Sequence, residues 1–183
     1  MNAITRDPLL AVAKGLLLFL MAVMAFAAVV CLVVIPAIWI FQSEVAIELA
    51  EKGADFPTSQ FLLAVTLILA LAAGLLAMLF RVFQLLKRIV DTVGEGDPFV
   101  PVNAGRLTSM AWLVLAIQVI TIPMAGIGIW ILNVTEEIRD KGDTVVMEGG
   151  VDMNGLLLVL VLFILARVFR KGAEMREELE GTV

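Results

Sequence analysis

The stretch GLLLFLMAVMAFAAVVCLVVIPAIWIF, from Gly15 to Phe41, decides the fold because its 27 residues include no charged side chain. At about 1.5 Å per residue, a helix of this length exceeds the roughly 30 Å hydrocarbon core of a bilayer and can span it with tilt. The run continues well past the small-residue pattern Ala25-Phe26-Ala27, which favours an uncleaved membrane anchor over a signal peptide.

Three further segments have the same character. Residues 61–80 and 110–132 are uncharged, and residues 155–166 form a shorter uncharged run that reaches spanning length when it is extended to 153–169. Arg167 then lies at the interface, where its long side chain can reach water. The sequence therefore predicts one membrane domain over residues 1–183, with four spans at 15–41, 61–80, 110–132 and 153–169.

The lysines and arginines predict how these spans are oriented. Ten of the 13 lie in the N-terminal tail, the connector 81–109 and the C-terminal segment, whereas three lie in the loops 42–60 and 133–152. Because basic residues concentrate on the cytoplasmic side, both termini and the connector are expected inside and the two loops outside. The predicted fold is an all-α integral membrane four-helix bundle made of two helical hairpins.

Two apolar stripes indicate that the second and fourth helices extend into the cytoplasm, the fourth over residues 167–183. The stripes follow i, i+4, i+7, i+11 spacing, which places each on one helix face. Their members are Val82, Leu86, Ile89 and Val93, and then Val168, Gly172, Met175 and Leu179. Either the stripes meet as a short stalk, or each lies on the lipid headgroups as an interfacial helix.

The polar sequence GEGDPFVPVNAGRL, residues 94–107, joins the second span to the third. Gly94 suits a helix C-cap, and Asp97-Pro98 starts a turn because proline disfavours helix at the preceding residue. Phe99 is expected either to reach the interface or to fill the space between helices. Asn103 is predicted as the N-cap of the next helix.

The composition also excludes several chemistries. The chain has no histidine and one cysteine, so imidazole metal sites, disulfides and a histidine-based triad are excluded. The net charge of −5 gives no basic surface for direct contact with nucleic acid.

No ionisable residue lies in the central part of a span. The polar residues Gln118 and Thr121 lie there, and they are expected to hydrogen-bond between helices. We expect no enzyme activity, no cofactor and no bound metal.

Three sequence features together resemble a known family. They are Gly96-Asp97-Pro98-Phe99, then Asn103-x-x-Arg106-Leu107, and the ending that runs from Leu165-Ala166-Arg167-Val168-Phe169 through Glu177-Glu178 to Val183. The chain resembles the bacterial membrane family catalogued as domain of unknown function 2975 over nearly its whole length. Gly105 and Thr108 depart from the more basic stretch expected there, which makes the connector less positive.

This resemblance implies a protein of the bacterial inner membrane that is the partner of a small Cro/repressor-type helix-turn-helix regulator encoded beside it. The family carries no catalytic residues to transfer. We therefore expect a non-enzymatic regulator or scaffold, in contact with lipid and as a candidate homo-oligomer, whose cytoplasmic face holds the regulator. The alternative is a small transporter or channel for an apolar or uncharged substrate. The candidate partner-binding residues are Asp97, Pro98, Phe99, Asn103, Arg106, Arg167, Arg170, Glu174 and Glu178.

Overall fold

The computed structural model describes residues 8–53, 56–136 and 152–180, which are helical apart from short connections. The five helices are α1 (Pro8–Ile40), α2 (Gln42–Glu51), α3 (Thr58–Gly94), α4 (Pro101–Val134) and α5 (Met153–Glu180). The all-α prediction is confirmed for this part of the chain. Most of the second predicted outer loop (137–151), one of the two basic residues of the N-terminal tail (Arg6) and the last three residues lie outside the described residues.

Helices α1, α3, α4 and α5 are each long and apolar enough to cross a membrane. Three of the predicted spans lie wholly inside these helices, and the first extends one residue beyond α1. A helix satisfies its own backbone hydrogen bonds, which is what hydrocarbon demands of any spanning segment. By length and composition, the chain is a multi-pass membrane protein.

The first predicted outer loop contains a helix that the sequence analysis missed. Helix α2 has ten residues, with Glu44 in its first turn. The Lys52 Nζ lies 3.1 Å from Glu48 Oε1, one turn back along the chain. Acidic residues near the start and a lysine at the end both favour a helix through its dipole, and this weak signal was available in the sequence.

The first of two compact units comprises residues 1–25, 77–118 and 152–183. Its core is a cluster of buried side chains contributed by α3, α4 and α5. Alanines at the centre allow the helices to approach closely, which is the main source of helix association in lipid. The cluster contains Val82, Leu85, Ile89, Leu107, Met110, Ala111, Val114, Val159, Leu162 and Ala166.

The second unit comprises residues 26–76 and 119–151. In it, the Trp39 indole Nε1 donates a hydrogen bond to Thr66 Oγ1 at 3.0 Å, and the Thr66 hydroxyl donates to the Leu62 carbonyl at 2.8 Å. Beside Thr66, an open apolar groove of about 620 Å³ runs along α3 and is lined on its other side by Gly126 and Trp130 of α4.

Of the two alternatives for the apolar stripes, the structure contradicts the stalk, whereas the interfacial helix stays a prediction. On α3 the stripe residues Val82 and Ile89 are buried, as expected. On α5 the stripe residues Val168, Met175 and Leu179 are exposed, and the buried side chains are Val159, Leu162, Ala166 and Ala173. The packed face of α5 includes both large and small apolar residues and lies on another side of the helix from the stripe, so the stripe spacing did not identify it.

Candidate functional site

Helix α3 ends in a capping motif centred on Gly96. The amide of Gly96 donates to the Val93 carbonyl, and the amide of Asp97 donates to the Thr92 carbonyl, both at 3.1 Å. This pair of bonds defines a Schellman motif, in which the residue at Gly96 takes a left-handed conformation, here with φ +87°. The prediction that Gly94 is the capping glycine was therefore wrong, since the chain turns two residues later.

Asn103 is the hydrogen-bonding centre of the connector, and its exposed fraction is 0%. Its Nδ2 donates to Thr92 Oγ1 at 2.8 Å and to the Pro98 carbonyl at 2.9 Å, while its Oδ1 accepts from Arg106 Nη1 at 2.9 Å. Helix α4 begins at Pro101, a residue suited to a first helical position. Asn103 thus lies inside the first turn, and its prediction as an N-cap was wrong.

Arg106 extends this network onto α3. The same Nη1 that binds Asn103 also donates to the backbone carbonyl of Arg88 at 3.0 Å. Hydrogen bonds from a charged guanidinium are stronger than those between neutral groups. Asn103 and Arg106 therefore hold the start of α4 against the end of α3.

Two contacts fasten the connector to α5. Asp97 forms an ion pair with Arg176. The Phe99 ring lies 5.3 Å from the Phe169 ring between centroids, and it remains 41% exposed. A Cβ added to Gly172 would lie 2.6 Å from Phe99 Cδ1, so the absence of a side chain at Gly172 is what admits the ring.

The start of α1 joins the same region through Asp91, which lies well past the apolar segment 61–80. Its carboxylate oxygens are 2.9 Å from Lys14 Nζ and 3.0 Å from Lys87 Nζ. The hydrogen bond from Lys14, followed by the bond and charge of Lys87, holds the pKa of Asp91 below its ordinary value, although partial burial opposes this.

Two grooves lie between α4 and α5 in this unit. The cationic groove, of about 680 Å³, is lined by Thr108, Phe163, Ala166, Arg167, Arg170, Lys171 and Glu174. The connector groove, of about 320 Å³, is lined by Pro101, Ala104, Gly105, Arg170, Ala173, Glu174 and Glu177. Arg170 and Glu174 border both grooves, so the two form one continuous surface on which basic side chains give way to acidic ones.

The last turns of α5 are exposed on every side after Ala173. Met175 and Leu179 are 50% and 71% exposed, and they lie i, i+4 on one helix face. Arg176, Glu177 and Glu178 lie between them in sequence, and Arg176 is held in an ion pair. The end of α5 is thus an amphipathic surface on which two apolar residues lie beside two acids.

The structure divides the nine predicted partner-binding residues into two groups. Asp97, Pro98, Phe99, Asn103 and Arg106 take part in the contacts that fix the connector. The other four, Arg167, Arg170, Glu174 and Glu178, lie exposed along α5. Sequence reasoning missed Thr92, Asp91 and Gly172, because their roles depend on residues far away in the chain.

Gln118 is a second buried polar residue of this unit. Its Nε2 donates to the Asp152 backbone carbonyl at 2.9 Å, just before α5 begins. The expectation that Gln118 hydrogen-bonds between helices is thereby confirmed. The described residues contain no group of three or more histidine, cysteine, aspartate or glutamate side chains that could hold a metal ion.

Comparison with known proteins gives one match. The model of the family described as "Protein of unknown function (DUF2975)" matches residues 44–183, about three-quarters of the chain. The match includes the connector and all of α5. Neither the curated proteins nor the solved structures contain a match to this chain.

Proposed function

This chain belongs to the DUF2975 family, and from that premise we propose that it is a regulatory scaffold of the bacterial inner membrane that holds a small helix-turn-helix protein at its cytoplasmic face. The observation that carries this proposal is the exposed amphipathic end of α5, which stands beside a connector fixed by buried hydrogen bonds. A rigid support with an exposed helix end is suited to docking a soluble partner.

The contacts support the proposed topology of two hairpins. Along α1 and α3, the first hairpin, they run in opposite chain order, since a Cβ at Gly94 would lie 3.4 Å from Leu10 while the later Lys14 pairs with the earlier Asp91. On α4 and α5 the order is again opposite: Trp112 packs on Phe163, whereas Gln118 meets Asp152. With the basic residues counted above, this arrangement favours both termini and the connector in the cytoplasm.

The charge at the end of α5 favours a basic partner. Glu174, Glu177 and Glu178 lie exposed near its end, and Lys171 lies 3.2 Å from Glu174. DNA-binding proteins carry basic surfaces, so an acidic helix end complements them and competes with DNA for them. Met175 and Leu179 supply the apolar contact that such docking needs.

Co-purification from cells tests the proposal. The full-length tagged chain is expressed together with the helix-turn-helix protein encoded beside it, and the fraction of that protein retained on washed membranes is measured. We expect Met175→Ser with Leu179→Ser, and separately Glu177→Lys, to lower retention about tenfold, because each removes a contact of the docking face. Transcription from the regulator's promoter is expected to change in parallel.

Glu51→Lys is the matched control for Glu177→Lys, because both reverse the charge of an exposed acid and Glu51 ends α2, in the predicted outer loop. Equal loss of retention in the two variants would show that net charge, not the α5 surface, governs association. Retention that is absent in the parent chain, or transcription that is unchanged when the chain is deleted, would contradict the proposal.

The apolar groove of the second unit favours a second candidate function, which is carriage of an apolar or uncharged substrate. Its 620 Å³ matches the size of small-molecule sites, and its polar side chains are few, among them Thr66 and Gln60. Gly126 lines the groove and a Cβ there has nothing within 4 Å, so the side chain of Gly126→Leu is expected to occupy space in the groove. Uptake of an apolar dye by vesicles should fall in Gly126→Leu, and equal uptake would exclude this function.

A further inference from the structure

The cationic groove lies where both of its helices change from apolar to charged residues. On α5, Phe163 and Ala166 belong to the uncharged run 155–166, and Arg167 is the first charged residue after it. On α4, Thr108 lines the groove two residues before the uncharged segment 110–132. If these segments cross the bilayer, the groove lies at the depth of the lipid phosphates.

The side chains of the groove carry a net positive charge. Arg167, Arg170 and Lys171 line it with one acid, Glu174. Within the described part of the chain, neither Arg167 nor Arg170 forms an ion pair or a side-chain hydrogen bond, whereas Lys171 lies 3.2 Å from Glu174. Two arginines at one site with no acidic partner match a phosphate, which guanidinium groups bind through paired hydrogen bonds.

The floor of the groove is apolar and reaches toward the membrane interior. Phe163 packs edge-on against Trp112, with the ring centroids 5.6 Å apart, and Trp112 is 60% exposed. Tryptophan is enriched at the boundary between hydrocarbon and headgroups. Cations in the groove, with Phe163 in its lining and Trp112 packed against Phe163, match a ligand that has an anionic head and a hydrocarbon tail.

We propose that the cationic groove is a binding site for an anionic phospholipid, with Arg167 and Arg170 on its phosphate and an acyl chain against Phe163 and Trp112. This lipid-binding site has a different role from the surface at the end of α5 that is proposed to bind a protein. Binding of the lipid does not depend on whether a helix-turn-helix partner exists.

Native mass spectrometry of the full chain in an uncharged detergent tests the proposal. The chain is titrated with phosphatidylglycerol and, separately, with phosphatidylcholine that has the same acyl chains. We expect phosphatidylglycerol to bind more tightly, and Arg167→Ala with Arg170→Ala to weaken it about 30-fold, or about 2 kcal/mol at about 1 kcal/mol per cation. Affinity for phosphatidylcholine should change little.

Arg88→Ala with Arg81→Ala is the matched control, because both arginines are exposed on α3 and the pair removes the same charge outside the groove. A second variant, Glu174→Gln, is expected to tighten phosphatidylglycerol binding about fivefold by removing the acid from the groove. Thermal unfolding of each variant verifies that it is folded.

Three results would overturn the proposal: equal affinity for the two lipids, an equal loss of affinity in the control pair, or no gain in affinity in Glu174→Gln.

A final experiment distinguishes a lipid from a free phosphate ester. Glycerol phosphate at millimolar concentration is expected to leave phosphatidylglycerol bound, because it lacks the chains that contact Phe163. Full displacement by glycerol phosphate would show that the groove serves a soluble ligand.

Discussion

The side-chain amide of Gln118 donates a hydrogen bond to the backbone carbonyl of Asp152, which places the start of α5 beside the middle of α4. Gln118 is eight residues past Met110, so this contact lies roughly 12 Å along the apolar segment of α4. The Asp152 carboxylate also accepts hydrogen bonds from the amides of Asn154 and Gly155 at 3.0 and 3.1 Å, as a helix N-cap does.

Gly155→Ala is expected to break this junction. A Cβ at Gly155 would lie 1.5 Å from Gln118 Nε2, so the amide must move away and lose its bond to Asp152. We expect a loss of about 1–2 kcal/mol in the free energy of unfolding, measured by thermal unfolding in detergent.

Gly126→Ala is the control for that substitution, because an added Cβ at Gly126 has nothing within 4 Å. It should not destabilise the chain and, like any alanine that replaces a glycine inside a helix, should add about 0.5–1 kcal/mol. In the double variant Gln118→Ala with Gly155→Ala the two costs should not add, since the obstacle to the new methyl group is gone. Equal melting temperatures for Gly155→Ala and Gly126→Ala would contradict the proposed contact.

Asn103→Leu is expected to destabilise the chain by about 2–4 kcal/mol, because it leaves the Pro98 carbonyl and Arg106 without their buried partner. Asn133→Leu is the matched control, since Asn133 is exposed on α4. The measurement is the melting temperature of both variants in one detergent. If the two substitutions have the same effect, the hydrogen-bonding role assigned to Asn103 is incorrect.

The spans could be predicted from the sequence because hydrocarbon excludes charge, and a run without charge can be read directly. The packed faces could not. On α5 the apolar stripe that includes Val168 and Leu179 is exposed, while Ala166 and Ala173 are buried. Within the spans lipid does not drive apolar side chains inward, so apolar spacing carries little information about packing there. Beyond the span the described end of α5 is exposed on every side, and whether a helix end packs depends on its neighbours, which local spacing cannot show.

The contacts of the polar connector could be predicted only in part, because they also depend on how the helices pack. The polar connector was evident from its composition, but the choice between Gly94 and Gly96 as the capping residue depends on which carbonyl the following amides can reach. Asparagine is a common helix N-cap, yet the side-chain amide of Asn103 donates a hydrogen bond to Thr92, eleven residues earlier. Contacts over such separations are set by how the helices pack and are invisible to local sequence patterns.

The two glycines Gly96 and Gly105 should respond to alanine with opposite signs. Gly96 has φ +87°, where a Cβ costs about 1–2 kcal/mol, so Gly96→Ala should lower the melting temperature. Gly105 is inside α4 and a Cβ there meets open space, so Gly105→Ala should add about 0.5–1 kcal/mol of stability. A gain in Gly96→Ala would exclude the left-handed cap.

The ion pairs of Asp91 predict a specific dependence of stability on pH. Lys14 and Lys87 hold the pKa of this carboxyl below its ordinary value of 3.8, so folding favours the ionised form. The contribution is therefore fully present above pH 3.8 and is lost as the pH falls through the lower folded-state pKa. Because the groups are about one-third exposed, we expect only roughly 0.5–1 kcal/mol near neutral pH.

Melting temperatures of the parent chain and of Asp91→Asn between pH 7 and pH 3 measure this contribution by difference, so that other carboxylates cancel. The difference should be constant from pH 7 to about pH 5 and should shrink below pH 4, because protonated Asp91 no longer pairs with Lys14. Glu95→Gln, at an exposed acid one turn along the chain, should show a smaller difference near neutral pH. If the difference for Asp91→Asn grew as the pH fell, folding would raise the pKa of Asp91 instead of lowering it. That result would exclude Asp91 as the residue that holds α1 to α3.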